Sequence, residues 1–84
     1  MWLEEFKIAL VNEDIEAIEA LADKVPAEFK NIEEALQAQT LVGEAINLIQ
    51  KSKADLSKEF EKLKNVKKYI ASYIIFSILR RVFS

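Results

Sequence analysis

The sequence predicts an all-α fold: two short N-terminal helices packed on a long C-terminal helix with a heptad seam, a helical bundle or coiled-coil-like hairpin. Three observations lead there. Good helix formers dominate, with one glycine and one proline in 84 residues, and those two residues are the ones that interrupt helices. Apolar residues recur at spacings of three and four rather than in alternation, which is the period of a helix and not of a strand. No proline follows Pro26, so nothing forces the second part of the chain to turn. A composition that is 51% hydrophobic and 31% charged belongs to a folded chain rather than a disordered one. The length allows one domain, residues 1–84, with 1–50 as its compact part and 51–84 as an extended coiled-coil-like helix with an apolar tail.

The first helix is expected over Trp2 to Val11, where Leu3, Phe6 and Leu10 share a face. Asn12 then reads as a cap, with Glu13 and Asp14 in the following first turn, where the helix dipole favours acids. The second helix runs from about Glu13 to Val25. Ile15, Ile18, Leu21, Ala22 and Val25 form its apolar stripe, Glu13, Glu16, Glu19 and Asp23 the opposite face, and Pro26 ends it. After a connection over Pro26 to Lys30, Asn31 with Glu34 three residues on has the spacing of a capping box.

From Ile32 the pattern permits one helix to residue 84, roughly 80 Å long at 1.5 Å per residue. Its first half is apolar on more than one face and needs at least two partner helices. From Val42 a narrower series, Val42, Ile46, Ile49, Lys53, Leu56, Phe60, Leu63, Lys67, Ile70 and Ile74, steps by four and three, the register of a two-helix seam. A bend near Ser52 to Asp55 is the expected interruption if the chain folds back on itself, because Ser52 and Asp55 offer a weak cap signal. Beyond Lys68 the segment Tyr69 to Leu79 is apolar nearly all round, between Lys67-Lys68 and Arg80-Arg81. Such a helix must be buried in something.

Composition excludes much chemistry. With no cysteine and no histidine there is no disulfide scaffold, thiolate nucleophile, Ser-His-Asp triad or imidazole acid–base catalyst. The acidic face Glu13, Glu16, Glu19 and Asp23 lacks the Glu-x-x-His unit of helical di-metal sites and reads as solvated. Ser52 and Ser57 beside Lys51, Lys53 and Lys58 lack the desolvated lysine that a Ser–Lys dyad needs. No catalytic, cofactor or metal residue is expected, and the chain reads as a non-enzyme. Lys58, Lys62, Lys64, Lys67 and Lys68 alternate with Glu59 and Glu61 and form helical pairs (Asp55–Lys58, Glu59–Lys62, Glu61–Lys64), so nucleic acid is not the favoured partner. Charge is nonetheless polarised, −7 over residues 1–42 and +5 over 43–84, which suits a chain folded on itself or two chains packed antiparallel.

The N-terminal Met1-Trp2-Leu3-Glu4-Glu5 places acids where a secretory signal carries bases, and the absence of cysteine fits a reducing compartment; a cytoplasmic protein is expected. The longest uncharged stretch, Tyr69 to Leu79, is too short to cross a bilayer. The partner-binding residues are expected to be Tyr69, Ile70, Tyr73, Ile74, Ile75, Phe76, Ile78 and Leu79. They would serve a homodimer, a helical client or, as the alternative, a membrane surface to which the tail anchors the chain peripherally.

The run Lys67-Lys68-Tyr69-Ile70-Ala71-Ser72-Tyr73 at the end of a long lysine-rich helix, with Ala9-Leu10-Val11-Asn12-Glu13-Asp14-Ile15-Glu16-Ala17-Ile18 near the start, resembles small all-helical flagellar export chaperones of the FliT and FlgN type. The resemblance covers residues 3–73. It implies a cytoplasmic partner-binding protein, self-associating or chaperone-like, that masks a hydrophobic helix of an export substrate.

Overall fold

Among the described residues four α-helices follow one another: α1 (Trp2–Val11), α2 (Ile15–Ala22), α3 (Ile32–Lys51) and α4 (Ser57–Phe83). The computed structural model describes residues 1–52 and 57–83, and no strand occurs among them.

α1 forms where the Leu3-Phe6 periodicity placed it. It ends differently from the expectation: Asn12 closes α1 instead of opening α2. The Glu13 N–H reaches the Leu10 carbonyl at 3.0 Å and the Asp14 N–H the Ala9 carbonyl at 2.9 Å, the paired bonds of a Schellman ending. That motif needs a left-handed residue, and Glu13 supplies it at φ 52°. Asp14 is the true cap of α2, its side chain accepting from the Ala17 N–H at 3.1 Å. α2 stops at Ala22, before the expected Val25. Asn31 caps α3 as its spacing predicts, accepting from the Glu34 N–H at 2.9 Å.

The single long helix expected from residue 32 to 84 is two helices. α3 ends at Lys51, where Ser52 turns extended at φ −69° and ψ 143°, and α4 packs back along α3. The physical reason is burial. A straight helix of that length would leave Leu63, Val66, Ile70 and Ile74 in water, whereas folded back all are buried, each contributing about 1.5–3 kcal/mol. Lys53 to Asp55, part of the expected bend, and the seam residues Lys53 and Leu56 lie outside the described residues. Of the other seam positions, Val42, Ile49, Leu63, Ile70 and Ile74 are buried within this chain, Ile46 and Phe60 half-buried and Lys67 exposed.

The result is two helical hairpins in contact. α1 packs on α2 and α3, α2 also on α4, and α3 on α4. α3 contributes mostly small residues to the core, Ala35, Ala38 and Ala45 with Val42 and Ile49. The bulk comes from Phe6, Ile18, Leu63 and Ile70. Phe29, in the connection ahead of α3, is a further anchor at 7% exposure. Its ring meets Tyr73 edge-on at 5.3 Å. The radius of gyration is 13.3 Å and the principal extents 47 × 23 × 17 Å, longer than a sphere-like chain of this size at about 12 Å.

The charge polarity is realised at one point. Lys62 of α4 reaches Asp23 at 3.1 Å and Glu19 at 3.7 Å on α2. The hydrogen bond that Lys62 donates to Asp23, with the charges of Asp23 and Glu19, holds the Lys62 ammonium above its ordinary pKa of 10.5. The expected pairs Glu59–Lys62 and Glu61–Lys64 are not among the described ion pairs; Lys62 turns to α2 instead. Asp55–Lys58 falls outside the described residues.

Candidate functional site

α4 positions every residue expected to bind a partner, and the fold divides them. Ile70 and Ile74 are taken by the chain's own core, at 0% and 8% exposure. Tyr73 is half-buried and its hydroxyl donates to the Phe29 carbonyl at 2.9 Å. The Tyr69 hydroxyl donates to the carbonyls of Ala27 at 2.8 Å and Pro26 at 3.2 Å. These two tyrosines strap the 26–29 connection to α4. Ile75, Phe76, Ile78 and Leu79 are exposed, and so are Val82 and Phe83, which the sequence reading did not include.

The division follows from helix lengths. α3 has 20 residues and α4 has 27, roughly 30 Å against 40 Å. Tyr73 lies beside Phe29, just ahead of the first residue of α3. The last turns of α4 therefore run past the end of α3. Polarity changes sides there. The inward series Leu63, Val66, Ile70, Ile74 continues by helical spacing as Ser77 and Arg81. The outward side, which carries Glu61, Lys64, Lys68 and Ser72 upstream, becomes Ile75, Leu79 and Val82 with Phe76, Ile78 and Phe83 beside them. That crossover was readable in the sequence: a seam that ends in serine and arginine marks where a helix leaves its own core.

A second feature lies upstream on α4. Between α3 and α4 opens a shallow groove of about 410 Å³, floored by Ile46, Phe60 and Ala71 and edged by Lys64, Lys67 and Lys68. The Lys64 ammonium sits 5.3 Å from the centre of the Phe60 ring. Among the described residues, no carboxylate lies within 4.0 Å of any of these three lysines. In sequence these lysines read as a solvated helix face, and the groove exists only once α3 lies beside them.

Other features carry less. Among the described residues no group of acidic side chains is arranged to hold a metal ion, and Glu19 and Asp23 are occupied by Lys62. Lys51 and Lys58, weighed as partners of Ser52 and Ser57, are exposed, and Lys53 lies outside the described residues. No described helix is long and apolar enough to cross a membrane. No protein-family model, curated protein or solved structure matches the chain.

Proposed function

We propose that this chain is a helical protein–protein interaction module whose contact surface is the outward side of the end of α4. The observation that carries the reading is the exposure of Ile75, Phe76, Ile78, Leu79, Val82 and Phe83 together. They leave on the order of 700 Å² of apolar side chain in water, taking roughly 200 Å² for each fully exposed large side chain. Monomers rarely expose a contiguous patch beyond a few hundred Å². The area is close to the roughly 800 Å² per partner of a standard interface. A second copy is the favoured occupant: Ile75, Leu79 and Val82 step by four and three, so two such ends pair antiparallel in a short heptad-type contact. Arg80 and Arg81 are well placed for it. They fall away from that line and stay in solvent.

Masking the hydrophobic helix of an export substrate is the chaperone-like form of the same activity, as the resemblance to flagellar export chaperones implies. Peripheral attachment to a membrane is the alternative, in which the same apolar side enters the headgroup region and the arginines meet anionic lipid.

Light scattering at micromolar protein without detergent tests the proposal. The intact chain is expected at twice its monomer mass, and Ile75→Asp with Leu79→Asp at monomer mass with unchanged helicity. A monomeric intact chain that floats with anionic vesicles would overturn the reading in favour of membrane attachment.

A further inference from the structure

The lysine-edged groove between α3 and α4 is not used by self-association at the end of α4. We infer that it is a separate docking site for an acidic amphipathic helix of another protein. Its floor is apolar, Ile46, Phe60 and Ala71, and its edge is three lysines facing no carboxylate among the described residues. A partner helix with an apolar stripe covers the floor, and glutamates or aspartates flanking that stripe meet Lys64, Lys67 and Lys68. This is helix-in-groove recognition with charge complementarity setting orientation and partner choice. The shallowness of the groove also fits a helix, since small-molecule sites enclose most of their ligand.

A second copy of this chain fits poorly, for two reasons. Groove against groove across a two-fold axis sets lysines against lysines, and like charges brought together at an interface cost several kcal/mol. Of the acidic side chains around α2, Glu19 and Asp23 already hold Lys62; a second acidic face is the outer side of α1, where Met1, Ile8 and Val11 are exposed beside Glu4 and Glu5. That side lies across the molecule from the groove. Lys62 and Tyr69, which reach α2 and the 26–29 connection, stand about half a turn round α4 from Phe60 and Lys64. Docking α1 of one copy in the groove of the next is therefore head-to-tail, which builds a ring or an open chain and not a two-fold dimer.

The groove runs from Phe60 to Ala71 along α4, so a peptide of about 14 residues spans it. The probe is a fluorescent peptide of that length with leucines at helical spacing flanked by glutamates, compared with one carrying lysines in their place. The glutamate peptide is expected to bind, and less well as salt rises. Lys64→Glu with Lys67→Glu and Lys68→Glu is expected to weaken it about tenfold or more, since exposed ion pairs are individually weak and three are reversed together. The same variant should gain the lysine peptide. Its helicity should match the intact chain and its melt fall only modestly, by the lost Lys64–Phe60 contact and the new like-charge neighbours, because all three lysines are exposed. Binding should persist in Ile75→Asp with Leu79→Asp. Equal binding of both peptides, or indifference to the lysine reversal, would overturn the inference. Loss of binding in the α4-end variant would also overturn it, by placing the peptide on that surface; the native mass of the same variant separately decides the self-association reading.

Discussion

The two parts of α4 are one helix with opposite allegiances. From Leu63 to Ile74 its apolar residues face inward and its outward side is charged. From Ile75 to Phe83 the outward side is apolar, and serine and arginine occupy the inward line. Secondary structure is the same throughout, so helix propensity does not account for the difference. What changes is the neighbour. Upstream, α3 and α2 supply apolar surface to be buried; downstream α3 has ended. The first part of α4 packs within its own chain, and the second carries apolar surface that folding leaves in water.

The comparison breaks most sharply at two isoleucines of the same helix. Ile70→Ala is expected to destabilise the fold by about 2–5 kcal/mol, the cost of emptying a fully buried site. Ile75→Ala, at 56% exposure, is expected to stay within about 0.5 kcal/mol. Urea unfolding of both variants in dilute protein measures the pair, and equal losses would mean that the end of α4 is buried after all. The tyrosine straps lie at the boundary between the parts, and Tyr73→Phe tests what they contribute. Removing the hydroxyl leaves the half-buried Phe29 carbonyl without its donor, so a loss of about 1 kcal/mol is expected in the same assay. The smallest effect is electrostatic and belongs to the upstream part alone. Lys62 has a folded pKa raised above 10.5 by Asp23 and Glu19. Its contribution is therefore fully present at neutral pH and is lost as pH rises through that raised value. Thermal melts at about pH 8 and at pH above the ordinary lysine range should show the drop, and Lys62→Met should show a smaller one, because the remaining lysines and the tyrosines titrate there too.

Much of this fold was legible because it is written locally. α1 and the Asn31 cap follow from neighbours three and four residues apart, whereas α2 stops at Ala22, short of the end expected at Pro26. The roles of Asn12 and Asp14 were displaced because a Schellman ending depends on one residue, Glu13, taking a left-handed conformation that its side chain does not advertise. Phe29 went unread as a core residue because its burial is decided by Tyr73, 44 positions away. The division of the long helix was harder still. No proline or glycine marks it; a weak cap signal at Ser52 places it only if the chain folds back, and the free energy of burying Leu63, Val66, Ile70 and Ile74 is what makes it do so. At the candidate surface, an apolar tail was visible. Which of its residues were spoken for was not, since Ile70 and Ile75 differ in direction and not in kind.

The polar tips of the aromatic side chains also sort by hairpin. The chain has one tryptophan and two tyrosines. The Trp2 indole N–H donates to the Leu21 carbonyl at 2.7 Å, across the hairpin of α1 and α2. Tyr69 and Tyr73 both lie on α4 and hold the connection that leads into α3. The molecule thus carries two built-in optical reporters, tryptophan emission for the first hairpin and tyrosine absorbance for the second. If the transitions they report coincide on heating, the hairpins melt as one cooperative unit; if tryptophan responds first, α1 and α2 detach while the longer pair still stands.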